Sequence, residues 1–249
     1  MLSLNTTTDK LLSLGLQGMA AALVKQHTEP ESLTLPFEHR LGLLLDEEIS
    51  TRDNRRISRL LKGAKLRYNQ AALEDVDYRS SRGLDRLQLQ TLGTGDWMRH
   101  NQNLILTGPT GTGKSWLACA FGQQACRQGI ATYYSTATHL FEELNIGILD
   151  GTLSKKRRQL SNIPLLIIDD LGIGGIDPKI GPILLEILDR QSMEGALIIT
   201  SQYPPEKWYD LFGDPTIADA ILDRVVHRAH QIALKGESMR KLKAKKAGA

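Results

Sequence analysis

The residues best suited to chemistry lie in the segment from Gly108 to Ser115, which reads Gly-Pro-Thr-Gly-Thr-Gly-Lys-Ser. This segment fits G-x-x-x-x-G-K-[ST], the P-loop pattern that binds nucleoside triphosphates. A short apolar run from Asn103 to Thr107 precedes it and predicts a buried strand. The residues from Trp116 onward contain no helix breaker and predict a helix. Strand, glycine loop and helix are the context that the pattern requires, so we predict an ATP-binding loop.

Each residue type in this loop has a physical reason. Glycine lacks the Cβ that would keep phosphate oxygens away from backbone N–H groups, and the start of a helix adds unpaired N–H donors. Lys114 is expected to reach the β- and γ-phosphates, and Ser115 to offer its hydroxyl to Mg²⁺. An ordinary glycine-rich turn is the alternative. The predicted nucleotide-binding residues are Gly108, Pro109, Thr110, Gly111, Thr112, Gly113, Lys114, Ser115 and Trp116.

A second candidate is the apolar run from Ile163 to Ile168, which is followed by Asp169 and Asp170. A continuous apolar run predicts a parallel strand that is covered on both faces. Burying two adjacent carboxylates at the end of this strand would cost free energy unless they bind a cation or act on a polar ligand. We therefore predict a Walker B element, in which Asp169 holds Mg²⁺ mostly through water and Asp170 orients or deprotonates the attacking water. A solvated acidic turn is the alternative.

Three later polar residues are further candidates for the nucleotide site. Ser201 follows an apolar run, where a side chain between the two Walker strands would touch the γ-phosphate or the lytic water; a strand-end cap is the alternative. Arg224 lies on a late predicted helix and is a candidate arginine finger, with a surface ion pair as the alternative. Arg240 is a candidate for contacting the nucleotide from the same subunit.

A basic stretch between Thr51 and Gln70 predicts a nucleic-acid interface. It holds seven cations and one acid, Asp53. Five of the cations follow helical spacing on one face, with apolar residues on another. Such a face suits a phosphate backbone, and arginine suits bidentate phosphate contacts, whereas a solvated charged face is the alternative. The predicted DNA-binding residues here are Arg52, Arg55, Arg56, Arg59, Lys62, Lys65 and Arg67.

Composition is that of an ordinary globular protein. The chain has 249 residues, of which 41% are hydrophobic and 24% charged, and a net charge of +3. Cys119 and Cys126 are seven residues apart on one predicted helix, too far to bridge, which fits a reducing cytoplasm. The N-terminus is polar, and no apolar run approaches the roughly 20 residues that span a bilayer. We expect a cytoplasmic protein with no membrane partner.

The order of predicted elements indicates two domains. Residues 1–97 read as a small all-helical domain for DNA binding and oligomerisation, and residues 98–249 as an α/β domain with a parallel sheet and a basic C-terminal tail. A strand at Ala131–Ser135 separates the two Walker motifs in the chain. This order is typical of P-loop ATPases whose catalytic acid follows Walker B. Too few residues follow Leu234 for a separate helical lid domain.

Local patterns predict the bounds of several elements. In the N-terminal region, helices are expected near Thr8–Leu14, Phe37–Ser50 and Thr51–Lys65, with a loop at Thr28–Thr34. The five expected strands are Asn103–Thr107, Ala131–Ser135, Ile163–Asp170, Ala196–Thr200 and His230–Leu234. Asp214 and Pro215 are expected to begin a late helix, as its cap and first residue.

These motifs together resemble a known family. Gly108–Ser115, Leu165–Gly172, Ile198–Gln202, Leu222–Arg224 and the basic region Arg52–Arg67 are similar to the IstB-type AAA+ ATPases of bacterial insertion sequences. The likeness covers nearly the whole chain. The chain is more distantly similar to DnaC-type helicase loaders, which share the ATPase core and lack the lid.

The resemblance implies a helper ATPase of DNA transposition. Proteins of the IstB type assemble on duplex DNA as ATP-dependent oligomers, for which a helical arrangement is one candidate, and deform the DNA. They then present it to a transposase, here of the IstA type, whose stimulation of ATP hydrolysis disassembles the complex. By resemblance we expect a homo-oligomer, a bacterial nucleoid-associated location, and ATP and Mg²⁺ as ligands.

The family pattern also assigns roles to single residues. It places Lys114 and Ser115 on ATP and Mg²⁺, and Asp169 and Asp170 at Walker B. Sensor I falls on Ser201, the trans arginine finger on Arg224 and sensor II on Arg240. Relatives often have asparagine at sensor I, so Ser201 departs from the pattern. The region Tyr134–Arg158 matches a helical insertion that initiator-type AAA+ proteins turn toward DNA, which adds Lys155, Lys156, Arg157 and Arg158 to the expected DNA contacts.

Two other functions fit the same ATPase residues. A helicase loader would use its N-terminal region mainly to grip a helicase, whereas the basic helix predicted here favours DNA. An ATP-gated DNA clamp that barely turns over is the other alternative, and the paired acids argue against it.

Overall fold

The computed structural model describes residues 4–79, 82–173 and 175–241. By its contacts the chain separates into two compact units, which divide between Arg59 and Leu60. This division lies N-terminal of the boundary expected near residue 97, because residues 60–97 belong to the unit that contains the sheet. The functional division into residues 1–97 and 98–249 stays a prediction.

The first unit is helical. It consists of α1 (Leu4–Ser13), α2 (Gln17–Thr28), α3 (Pro30–Leu33) and the first part of α4 (Phe37–Ala64). The loop expected at Thr28–Thr34 is wrong in part, because Pro30 begins a short helix, where the missing N–H of proline is harmless. The two helices expected from Phe37 to Lys65 are one, since no proline interrupts this stretch.

Helices α2 and α4 approach closely at Gly18. A Cβ on Gly18 would lie 2.6 Å from the carbonyl oxygen of Glu47. The buried carboxylate of Glu48 accepts hydrogen bonds from the backbone N–H groups of Gly18 (2.7 Å) and Met19 (3.1 Å), and from Arg52 Nε (2.7 Å). The bond from Arg52 and those from the N–H groups lower the pKa of Glu48 despite burial. A carboxylate at this position satisfies the unpaired donors of the first turn of α2.

The second unit contains a five-stranded parallel sheet, as predicted. Its strands are β1 (Asn103–Thr107), β2 (Thr132–Thr136), β3 (Leu165–Leu171), β4 (Ala196–Ser201) and β5 (Ala229–Ala233). Their order across the sheet is β2-β3-β4-β1-β5. The P-loop strand β1 and the Walker B strand β3 therefore flank β4, so side chains at the end of β4 lie between the two motifs.

Helices cover both faces of this sheet. They are α5 (Arg86–Gly93), α6 (Asp96–Arg99), α7 (Lys114–Arg127), α8 (Ala137–Asp150), α9 (Leu153–Ser161), α10 (Ile180–Glu194) and α11 (Pro215–Val226). Neighbouring residues of each strand belong to two different apolar clusters. Leu104 and Ile167 pack with residues of α7 in one cluster, and Ile105 and Ile168 pack with residues of α8 and α10 in the other. Asp214 caps α11 as expected, because its carboxylate accepts from Thr216 N (2.8 Å). Among the described residues, no helix is both long and apolar enough to cross a bilayer.

We predict that Gly18→Ala destabilises the protein by about 1–3 kcal/mol, because the added methyl group would overlap backbone atoms of α4. Urea unfolding followed by far-UV circular dichroism measures the change. Gly42→Ala is the matched control, since a Cβ there meets no atom within 4 Å. Within helix α4 this control should be more stable than the parent by about 0.5–1 kcal/mol. Equal stabilities of the two variants would contradict the close approach at Gly18.

Candidate nucleotide site

The P-loop lies between β1 and α7, in the context that its sequence predicted. Gly108, Gly111 and Gly113 have φ angles of 139°, 86° and 100°, in the region that favours glycine. A Cβ on Gly108 would lie 2.2 Å from the carbonyl oxygen of Leu234. Glycine is therefore needed here both for backbone angle and for the packing of the chain that follows β5.

The segment after β5 lies directly on this loop. Leu234 N donates to Thr107 O (2.8 Å), and Met239 N donates to Gly111 O (2.8 Å). A Cβ on Gly111 would lie 2.3 Å from the hydroxyl of Ser238. These contacts bring the predicted residue Arg240 to the same cavity as the loop.

The cavity beside the loop has a volume of about 600 Å³, within the range of small-molecule sites. One wall consists of Gly111, Gly113, Ser115 and Trp116 at the start of α7, with Arg240 from the C-terminal segment. Further lining residues precede β1 in the chain, and the sequence analysis did not assign them to the site: Tyr68, Gln70, Asp75, Asp77, Arg79 and Arg82. The dimensions and the exposed loop backbone fit a nucleotide.

Lys114 is almost fully buried at the start of α7. Its ammonium donates to the carbonyl oxygens of Gly108 (2.8 Å) and Pro109 (3.2 Å). Burial lowers the pKa of Lys114, and the negative charges of Asp170 and Asp169 oppose that effect. A cation that is held by carbonyls alone is well placed to exchange them for phosphate oxygens.

Asp169 is fully buried at the end of β3, and both of its carboxylate oxygens accept hydrogen bonds. Tyr134 donates to one oxygen (2.6 Å) and Thr200 to the other (2.5 Å). Burial, followed by the bond to Asp169, raises the pKa of Tyr134, so its hydroxyl stays a donor. Bonds to a carboxylate are shorter and stronger than bonds between neutral groups, so they fix the position of this side chain. Sequence patterns missed both donors, because Tyr134 and Thr200 lie 35 and 31 residues from Asp169 in the chain.

Asp170 has the unusual φ angle of 60° for a residue that is not glycine. Its backbone N–H donates to the hydroxyl of Thr200 (2.8 Å), which helps to hold this conformation. Burial, with a contribution from the charge of Asp169, raises the pKa of Asp170, and Lys114 acts in the opposite direction. A carboxylate with a raised pKa is suited to accept a proton from water.

Ser201 is fully buried, and its hydroxyl is directed to the protein backbone. It donates to Leu171 O (2.8 Å) and accepts from Tyr203 N (3.2 Å), as a strand-end cap does. Thr200, the preceding residue, is the one that contacts both Walker B acids. The neighbouring Gln202 is exposed. The role expected for Ser201 at the γ-phosphate stays a prediction.

Arg224 forms an ion pair within its own chain. Its Nε lies 2.5 Å from Asp189 on α10, and its Nη1 donates to Ala220 O (2.9 Å). The ion pair was the alternative that the sequence left open for this residue. A role as an arginine finger toward a neighbouring subunit stays a prediction.

The cations expected to bind DNA are in different environments. Arg52, Arg55, Arg56, Arg59 and Lys62 are exposed along α4. Within the first unit, Arg52 pairs with Glu48 and Arg55 donates to Gln17.

Lys65 and Arg67 follow the end of α4 and do not continue its basic face. The ammonium of Lys65 is 5.5 Å from the ring centre of Tyr133 on β2, and the guanidinium of Arg67 is 5.6 Å from that of Tyr68.

The basic tetrad lies on α9. Arg157 pairs with Glu186, and Lys156 donates to Glu143 O (3.0 Å). Lys155 and Arg158 are exposed. Whether these cations contact DNA stays a prediction.

A family model described as IstB-like ATP binding protein matches residues 9–247 of this chain. The chain belongs to the IstB-like family. A relative from Sinorhizobium fredii that is named as an insertion sequence ATP-binding protein is 45% identical over 240 residues, which cover 96% of this chain and 98% of the relative. A similarly named protein of Pseudomonas fluorescens is 46% identical over 198 residues, which cover 80% and 86% of the two chains. The IstB-like chain is thus an ATP-binding protein associated with insertion sequences.

Solved structures resemble the IstB-like fold. A crystal structure of DnaI has a TM-score of 0.58 at 20% identity and covers 72% of this chain and 94% of its own. The DnaC helicase loader has a TM-score of 0.53 at 19% identity, with coverages of 68% and 99%. At this identity the likeness shows the AAA+ fold alone, and it agrees with the predicted ATPase core.

We predict that Tyr134→Phe destabilises the protein by about 1.5–3 kcal/mol, because the buried carboxylate of Asp169 loses one hydrogen bond. Urea unfolding of the nucleotide-free protein measures the difference. Tyr133→Phe is the control, since that hydroxyl contacts Glu143 only at 3.4 Å and the residue is partly exposed. It should cost less than about 1 kcal/mol. A larger loss for the control than for Tyr134→Phe would refute the proposed importance of the bond to Asp169.

Proposed function

We propose that this IstB-like protein hydrolyses ATP as a DNA-binding helper of transposition. In this proposal it assembles as an oligomer on duplex DNA, remodels the DNA and presents it to a transposase of the same element. The main support is the placement of the acid pair, Asp169 and Asp170, on a strand that only β4 separates from the P-loop strand, with Thr200 of β4 bonded to both acids. Family membership and the names of the relatives supply the link to insertion sequences.

In this proposal each residue at the site has a separate role in ATP hydrolysis. Lys114 exchanges its loop carbonyls for the β- and γ-phosphates of ATP. Ser115 and Asp169 are hard oxygen donors that fit Mg²⁺, which when bound would neutralise charge on the phosphates. Asp170, with its raised pKa, orients the attacking water and accepts its proton. Thr200 fixes the two acids relative to each other.

DNA contact is assigned to the exposed cations of α4, with Lys155 and Arg158 of α9 as further candidates. Arginine and lysine on an exposed helix face bind a phosphate backbone without reading its sequence. The proposed partners are duplex DNA, further copies of the chain, and a transposase. The proposed setting is the bacterial cytoplasm, at the nucleoid.

Oligomerisation would complete the nucleotide site if Arg224 of one subunit reaches the γ-phosphate of the next. To do so, Arg224 must leave Asp189. We predict that Arg224→Ala lowers DNA-stimulated phosphate release by about 10³-fold or more, the usual contribution of an arginine finger. ATP affinity at low protein concentration should stay unchanged.

Arg190→Ala is the control for this variant. Arg190 lies on α10 and pairs with Glu194 at an exposed position, so its loss should leave turnover unchanged. Phosphate release is measured against protein concentration with saturating duplex DNA. An undiminished rate for Arg224→Ala would exclude the finger role.

The experiment that tests the function is binding of the full chain to labelled duplex DNA with ATP, with ADP and without nucleotide, followed by particle size. We expect large complexes with ATP only, whose affinity falls with salt. Replacing Arg59 and Lys62 by alanine should lower the slope of log affinity against log salt by about 2, since each phosphate contact contributes about 0.9.

Arg99→Ala is the matched control for the DNA experiment, because Arg99 is exposed on α6 and pairs with Asp96. The salt slope should not change in this variant. Absence of duplex binding, together with capture of a replicative helicase, would overturn the transposition proposal and favour a loader. Duplex binding without any phosphate release would favour an ATP-gated clamp.

A further inference from the structure

Arg82 is a buried cation beside the P-loop that no sequence motif identified. Only 6% of the residue is exposed. Its Nη1 donates to Asp77 O (2.8 Å), and its Nη2 donates to Thr112 O (2.8 Å). Its backbone is also held, because Lys235 N donates to Arg82 O (3.0 Å). The side chain therefore has a fixed position against the tip of the loop.

The guanidinium of Arg82 has fewer partners than its burial requires. Its Nε atom is buried and has no hydrogen-bond partner among the residues that the structure describes. Both groups that accept from its terminal nitrogens are carbonyls, and the carboxylate of Asp77 is bonded to Arg79 (2.6 Å). Burial lowers the pKa of Arg82, with the charge of Asp77 opposing this and that of Arg79 adding to it.

A guanidinium remains protonated in proteins, so this burial leaves a positive charge in a largely desolvated place. Such a charge is costly without an anion. A ligand that supplies the anion would remove this cost.

The position of Arg82 indicates which anion this is. It lines the same cavity as Gly111 and Gly113 of the P-loop and Ser115 in the first turn of helix α7. A Cβ on Gly113 would lie 2.9 Å from Nη2 of Arg82, so the guanidinium is next to the glycine that precedes Lys114. Phosphate groups bind at helix N-termini of this kind. A nucleotide in the cavity would bring its phosphates close to Arg82.

We propose that Arg82 is a nucleotide-binding residue, which pairs with a phosphate of the bound nucleotide while it fixes the loop through Thr112. The inference rests on the proposed function in one respect only, that the cavity holds ATP. It gives residues before the P-loop strand a direct part in phosphate binding. Arg82 and Lys114 then supply charge from two different segments of the chain.

The test is displacement of a fluorescent ATP analogue from the full chain by ATP, ADP and adenosine, with Mg²⁺ present. In Arg82→Met we expect ATP and ADP to bind about 10- to 100-fold more weakly, because a hydrogen-bonded charge contact is lost. Adenosine should bind as it does to the parent, since it has no phosphate. A residue that only shaped the loop would weaken ATP and ADP by the same factor at every salt concentration, whereas loss of an ionic contact also makes ATP affinity less dependent on salt than in the parent.

Two further variants make the result decisive. Arg79→Met removes a cation from the same cavity that is already paired with Asp77, and ATP affinity should change less than about threefold. Arg82→Lys keeps a charge but loses the planar fork, and its ATP affinity should fall by about three- to tenfold with adenosine unchanged. This variant decides the question if Arg82→Met does not fold.

The outcomes separate the inference from the proposed function. If the parent chain binds no ATP, the proposed function fails. If the parent binds ATP and the Arg82 variants keep its affinity, or lose adenosine affinity equally, the phosphate role of Arg82 is wrong. A selective loss for ATP and ADP, with a smaller salt dependence of ATP affinity than in the parent, supports it, and an unchanged salt dependence overturns it.

Discussion

A single hydroxyl group, that of Thr200, holds the two acids of the site together. It donates to the carboxylate of Asp169 and accepts from the backbone N–H of Asp170. This is possible only because β4 lies between the P-loop strand and the Walker B strand. The sheet order thus determines the chemistry: it brings a side chain from a third strand to the place where the chain bends at Asp170. The bond also offsets part of the cost of the positive φ angle at that residue.

Two buried cations of the nucleotide-free site are hydrogen-bonded to backbone carbonyl groups. Lys114 is bonded to two loop carbonyls, and Arg82 to two other carbonyls. Among the residues that the structure describes, no carboxylate is in direct contact with either cation, although Asp169 and Asp170 act on Lys114 from a distance. A triphosphate replaces weak dipole contacts by ionic ones. Ligand binding to such a site contributes directly to the stability of the folded state.

Patterns within short windows were enough to predict the P-loop, the Walker B strand, the parallel sheet and the cap at Asp214. Those signals are local, because they depend on residue spacing within one element. Tyr134 and Thr200 were missed, since each meets Asp169 over more than 30 residues of chain. Arg82 was missed because its neighbours Ser80, Ser81 and Gly83 are typical of a loop. The continuity of α4 was missed because its change from apolar to basic composition resembled a boundary between elements.

The contacts of Met239 have a consequence for how the protein is made. The backbone N–H of Met239 donates to Gly111 O, and the side chain of Arg79, which lies 160 residues earlier in the chain, donates to the Met239 sulfur. The cavity is therefore lined by residues from near both ends of the sheet-containing unit, in addition to the P-loop. On the ribosome, the P-loop and both acids are complete well before Ser238 to Arg240 are translated. A chain that ends before this point therefore has both Walker motifs but lacks Arg240 and the backbone contact of Met239 with Gly111.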